Sequence, residues 1–239
     1  MPSRRLPLGL TVATLIGLAI LCSLGVWQVQ RLHWKEGLLA RIAALQAAPA
    51  RPIDPVLARL ARGEDVGFTR VTAECPGLAR APFLEFQTLR DGQAGSRLIS
   101  ACPVTGGGYG AVLVDRGFVG DDISARPPAD GADRTPFAVT GVLRAPDPKN
   151  AFTPPNEPAA NRWYSRDVPA MARALGARAP APLVLMAETS TNPDWKALVP
   201  APLPPEIPNR HMEYALTWFG LAGALLAVYA AMLWRMWKS

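Results

Sequence analysis

Two proline-free, uncharged runs lie near the ends of the chain, and they limit what it can become more than any other feature. The first spans the 19 residues from Leu8 to Val26, and the second the 21 residues from Tyr214 to Trp234. As helices they would measure roughly 28 Å and 31 Å, matching the ~30 Å hydrocarbon core of a bilayer. Nearly all of the 25 prolines fall between Pro49 and Pro208, so long helices are confined to the ends. Trp27 and Trp34 follow the first run, Trp218 lies near the start of the second, and Trp234 and Trp237 lie at its end. These are the interfacial depths that amphipathic aromatics favour. A cleaved signal peptide fits poorly, because the apolar stretch is too long.

The charges give an orientation. Lys and Arg number 25 against 19 Asp and Glu. Arg4, Arg5, Arg235 and Lys238 lie outside the two runs at the termini, with no acid beside them. The positive-inside rule then places both termini in the cytoplasm and the long middle on the other side. Arg31 and Lys35 lie on that other side, but long domains translocate largely regardless of such charges. The pI near 9.6 therefore reports topology; no basic patch with interleaved aromatics points to nucleic acid. The expected division is a cytoplasmic N-terminus (1–7), a first span (8–27), a helical stalk (28–48), a β-rich domain (49–209), a second span (210–234) and a cytoplasmic C-terminus (235–239). With only seven residues before the first span and no transit peptide among them, the expected setting is a bacterial inner membrane, with the domain in the periplasm.

Within the middle, Leu32, Leu38, Leu39, Ile42 and Leu45 recur at helical spacing, so the first helix is expected to continue until Pro49 and Pro52 end it. A short helix is expected near Val56–Ala61. Five runs then read as strands, separated by turn signals: Phe68–Cys75, Phe83–Leu89, Arg97–Val104, Ala111–Val119 and Phe137–Leu143. Asp167 to Leu175 reads as a short helix with Asp167 as N-cap, Pro182–Glu188 as a further strand, and Pro200–Pro208 as an extended link. The fold class is a two-span membrane protein around a mainly antiparallel β domain, barrel- or sandwich-like, with short helices. The cluster Gly106-Gly107-Gly108 separates two strands, so it reads as a hairpin loop and not as a phosphate cradle.

Catalytic signatures are missing: no Gly-x-Ser-x-Gly, no His-Glu-x-x-His, no Cys-x-x-Cys and no phosphate loop. An enzyme is not expected, and no catalytic or metal-site residues are assigned. The two histidines, His33 and His211, both fall just outside the two uncharged runs on the domain side. A neutral imidazole there is a candidate haem ligand, and the porphyrin would suit an apolar interface. A polar-tipped interfacial side chain is the plainer alternative for each. Cys75 and Cys102 stand near the ends of two strand-like runs in a compartment that permits disulfides, and bonding them would stabilise by up to about 3–4 kcal/mol. Two buried thiols are the alternative. Cys22 lies inside the first span.

Four blocks resemble the surfeit-locus (Shy-type) family of cytochrome c oxidase assembly factors. They are Leu24-Gly25-Val26-Trp27-Gln28-Val29-Gln30-Arg31-Leu32-His33-Trp34-Lys35; Val114-Asp115-Arg116-Gly117-Phe118-Val119; Phe152-Thr153-Pro154 with Asn161-Arg162-Trp163-Tyr164-Ser165-Arg166-Asp167 and Ala170-Met171-Ala172; and Asn209-Arg210-His211-Met212-Glu213-Tyr214-Ala215-Leu216-Thr217-Trp218. The family usually has Asn at Asp115, Trp at Phe118 and Asn at Arg210. The resemblance implies an assembly role in maturing oxidase subunit I, with haem a held transiently for insertion and His211 as its axial ligand. Arg210 would then pair with a propionate or anchor at the interface, and His33 remains a second ligand candidate. Partners would be subunit I, haem a synthase and the lipid bilayer. A haem-free scaffold for nascent subunit I, or a membrane-surface enzyme acting on haem or lipid, are the rival readings. Arg116, Trp163 and Tyr164 are expected on a partner surface, although core packing would also explain the two aromatics. Gly117 is expected to serve a bulge or turn.

Overall fold

The computed structural model describes residues 7–146, 148, 150–200 and 209–238. Arg4, Arg5 and most of the expected extended link, residues 201–208, lie outside the described residues. The chain divides into two compact units: residues 1–41 with 206–239, and residues 42–205.

The first unit is a pair of helices. Helix α1 (Leu8–Ala47) has 40 residues and runs unbroken through the expected span and stalk. Its ~60 Å is twice a bilayer core, so one half suffices to cross. It stops where Pro49 and Pro52 remove the next amide donors. Helix α4 (His211–Lys238) carries Arg235 and Lys238 in its last turn, where cations complement the helix dipole. Both helices are long and apolar enough to cross a membrane. Leu15, Ile16, Ile20, Leu216, Leu221 and Val228 are all exposed on them, a burden that water would penalise and lipid would not.

The second unit is built on one sheet. Its strands are β1 (Arg51–Pro52), β2 (Arg70–Glu74), β3 (Leu84–Arg90), β4 (Gln93–Pro103), β5 (Ala111–Gly120), β6 (Ala138–Arg144), β7 (Arg162–Trp163) and β8 (Pro180–Ala187). They lie in the order β1-β2-β6-β8-β5-β4-β3-β7. The long ladders β2–β6, β3–β4 and β4–β5 are antiparallel, as is β6–β8. The β1–β2, β3–β7 and β5–β8 pairs are parallel, so the sheet is mixed. Its order ends at β1 and β7 and does not close on itself.

Period-two alternation gives the sheet two packed faces. Val112, Val114, Leu183, Leu185 and Ala187 pack with Ile53, Val56 and Leu57 of α2 (Ile53–Ala61). Leu113, Val184 and Met186 pack with Val168, Met171 and Ala172 of α3 (Val168–Ala174). Asp167 caps α3 by accepting from the Ala170 amide. At the tip of the β3–β4 hairpin, Asp91 and Gly92 both take positive φ (52° and 81°), as a primed turn requires. The glycine cluster forms a single 3-10 turn (Gly106–Gly108) between β4 and β5. Asp54 of α2 accepts from the Thr105 and Gly106 amides there, and a Cβ on Gly107 would stand 2.5 Å from the Leu57 carbonyl oxygen. These glycines let helix backbone and loop backbone touch.

Candidate functional site

Three contacts place α1 against α4 in antiparallel order. Thr11 Oγ1 meets the Tyr229 hydroxyl at 2.6 Å. Gly17 lies under Leu225, and Gly25 under the ring of Phe219, where a Cβ would stand 2.7 Å from two ring carbons. Small residues let helices approach closely in lipid, where van der Waals packing must do most of the holding.

At the domain-side end of the pair a fourth contact closes the set: His211 Nδ1 lies 2.7 Å from Gln28 Oε1. An amide oxygen only accepts, so Nδ1 is the donor. His211 opens α4 and is half-buried, while Arg210 beside it is exposed. His33 does not join this contact. It lies five residues beyond Gln28, roughly 7.5 Å further along α1, highly exposed, with Nδ1 3.4 Å from Glu36 Oε2. Arg31, one turn beyond Gln28, stacks its guanidinium on Trp34 at 4.4 Å.

Arg116 is not on a surface. It is fully buried, and its guanidinium spans four acceptors: Thr191 Oγ1 (3.2 Å), Ser100 Oγ (3.4 Å), and the carbonyls of Ala81 (3.3 Å) and Ala79 (2.8 Å). One carbonyl lies within the 3-10 turn Leu78–Arg80 and the other caps its end, so Arg116 ties that turn to β5. Burial lowers its pKa from the ordinary guanidinium range to about 10, which leaves it charged at neutral pH. The inward turn follows from a bulge: the β4–β5 register shifts between Arg97 and Ile99, where Arg116 and Gly117 intervene. Gly117 takes φ 129°, and a Cβ there would collide with the Val199 carbonyl. The adjacent Phe118 amide donates to that carbonyl at 2.8 Å.

Asp115 is also fully buried, between Arg97 (2.6 Å) and Arg166 (3.0 Å). Arg166 in turn stacks over Phe86 at 4.2 Å. The departure to Asp at this position is thus matched by guanidiniums from β4 and from the segment before α3.

Trp163 is likewise not available to a partner. It is fully buried in the α3-side core with Leu84 and Met171, and its indole N–H has no hydrogen-bond partner among the described residues. Tyr164 is half-buried, its amide donating to Asn156 Oδ1 at 2.8 Å. Cys75 and Cys102 form a disulfide, and Cys22 is free. A cleft of about 520 Å³ in this unit is lined in part by Asp130, Asp133, Arg134 and Arg178. Thr135, through its hydroxyl and its amide, donates to Asp133 and holds that carboxyl below its usual range, so the charge is engaged within its own loop.

Gln28 is the residue that sequence reasoning missed. Its signal was weak, one of two amides (Gln28 and Gln30) just past the first span, and its partner is 183 positions away.

Comparison with known proteins covers most of the chain. Residues 15–223 match the model of the SURF1 family. Surfeit locus protein 1 of Takifugu rubripes is 30% identical, the match covering 84% of this chain and 87% of the relative. The protein of the same name from Homo sapiens is 28% identical over 84% of this chain and 70% of the relative. A SURF1-like protein of Monosiga brevicollis is 27% identical over 86% and 80%.

Proposed function

This chain belongs to the SURF1 family, and on that premise we propose that it serves the assembly of a haem-copper cytochrome c oxidase, holding haem a at the domain-side end of its helix pair for hand-over to subunit I. The observation that carries this reading is the His211–Gln28 contact, a histidine oriented through one nitrogen at the edge of an apolar helix pair. Haem a is cargo here, and its iron takes an imidazole nitrogen as axial ligand when bound. The residues fit that cargo. His211 has Nδ1 engaged and shows no other hydrogen-bond partner among the described residues, Arg210 is exposed beside it for a propionate, and the exposed apolar flanks of α1 and α4 suit a porphyrin. A half-open site suits release as well as capture. The work is binding and delivery, not turnover, with haem a synthase as the source and subunit I as the recipient.

The protein spans a bacterial inner membrane twice in this reading. Arg4, Arg5, Arg235 and Lys238 keep both termini in the cytoplasm, and the sheet unit lies in the periplasm.

One observation favours a second reading, a haem-free scaffold for nascent subunit I. Phe152 is 93% exposed, on a turn held by Asn150 Oδ1 accepting from the Phe152 amide at 2.9 Å. A pre-ordered aromatic of this kind suits protein contact. The optical spectrum of the protein purified from cells that make haem a, beside His211→Ala, separates the two. A haem a band lost in the variant at unchanged protein level supports the carrier. A haem-free wild type from cells with normal oxidase supports the scaffold.

A further inference from the structure

We infer that Gln28 is a positioning residue that fixes the tautomer of His211, so that Nε2 is the nitrogen offered to an incoming haem iron. The inference rests on the haem-carrier reading for its purpose but not for its geometry.

A neutral imidazole has one N–H and one lone pair, and its environment decides which nitrogen holds which. Gln28 Oε1 stands 2.7 Å from Nδ1 and can only accept, so the proton resides on Nδ1 and the lone pair on Nε2. Ligating histidines characteristically donate their second N–H to such an acceptor, which sets ring orientation and raises the basicity of the ligating nitrogen. The acceptor here comes from the other helix, so the ligand nitrogen is set only when α1 and α4 are paired. The packing of Gly25 on Phe219, three residues before Gln28, maintains that pairing. Among the described residues His33 has no comparable support: its partner is the exposed Glu36 on its own helix. The structure therefore distinguishes the two histidines, and by their different surroundings rather than their positions relative to the spans.

The test uses the full chain in lipid nanodiscs, cargo-free, with ¹⁵N-labelled histidine and His33→Ala so that His211 alone reports. The expected spectrum has a pyrrole-type Nδ1 and a pyridine-type Nε2. Gln28→Leu should lose this preference, and Gln28→Glu, which keeps an acceptor oxygen, should restore it. A pyridine-type Nδ1 with Gln28 intact overturns the inference. The second readout is titration with haemin. Gln28→Leu should weaken binding about 10- to 100-fold, and Gln28→Glu should recover it with a lower haem midpoint potential, as expected for a more basic imidazole. Unchanged affinity and spectrum in Gln28→Leu overturn the positioning role. Absence of haemin binding in every protein, with the Nδ1–H tautomer intact, overturns the haem-carrier reading and leaves the tautomer assignment standing.

Discussion

Asp115 and Arg116 are neighbours in the chain and both fully buried, yet they do not pair with each other. Asp115 takes Arg97 and Arg166, whereas Arg116 reaches the carbonyls of Ala79 and Ala81. The bulge at Arg116-Gly117 is what allows two adjacent charges to enter the interior with separate partners. This makes the second family-like block a structural joint, and it changes what substitutions there should do.

Arg116→Ala should remove a buried cation and leave the Ala79 and Ala81 carbonyls short of donors, at a cost of about 3 kcal/mol. The expected outcome is loss of protein from the membrane in step with loss of oxidase activity, read by immunoblot and by oxidase assay. Full protein levels with reduced activity would return Arg116 to a partner-facing role.

Asp115→Ala leaves two guanidiniums facing a void and should cost about 3–5 kcal/mol. Asp115→Asn keeps an acceptor and should cost less. Thermal melts of the two variants give the order, and an equal loss in both would show that the carboxylate charge is unimportant.

The Cys75–Cys102 bond should contribute about 3–4 kcal/mol. Of the 3 cysteines, only Cys22 should react with maleimide in the unreduced, denatured chain, and all three after reduction. Cys75→Ser should lower the denaturation midpoint to that of the reduced wild type.

Gly25→Ile puts a branched side chain where the Phe219 ring lies, an overpacking that should cost about 1–3 kcal/mol. The helices should separate, weakening cross-linking of Thr11→Cys to Tyr229→Cys by a short bifunctional maleimide, which spans the gap left by the Thr11–Tyr229 hydroxyl contact. Adding Phe219→Ala should restore the cross-link. Unaltered cross-linking in Gly25→Ile alone would mean that this contact does not hold the pair together.

Reporter fusions test the topology. Fusions at either terminus should be active only as cytoplasmic reporters, and one within the Asp121-Asp122 turn only as a periplasmic reporter. The opposite pattern would invert the assignment made from the terminal arginines and lysine.

Much of the fold was legible in local chemistry. The Asp91-Gly92 turn, the Asp167 cap and the glycine loop before β5 each depend on a few adjacent residues, and each lies where the pattern put it. Two-residue strands such as β1 and β7 carry no period and were missed, as was the parallel β5–β8 pairing, which joins distant runs. At the candidate site His211 was legible from its place beside an apolar run, but Gln28 was not. Arg116 and Trp163 were read toward a surface, and both are buried. A charge in a strand ordinarily faces water, and only the bulge and the carbonyls beyond it reverse that.

What the sequence determined by itself was the pair of long terminal helices and the strand-rich middle. Apolarity, proline placement and turn chemistry act over a few residues and need no partner to be recognised. The tertiary structure alone decided which charges are internal, which glycines admit a neighbour and which nitrogen of His211 is committed. Each of those depends on atoms brought together from distant positions, Gln28 and His211 being 183 residues apart. A hydrogen bond or a buried ion pair exists only once both partners are in place.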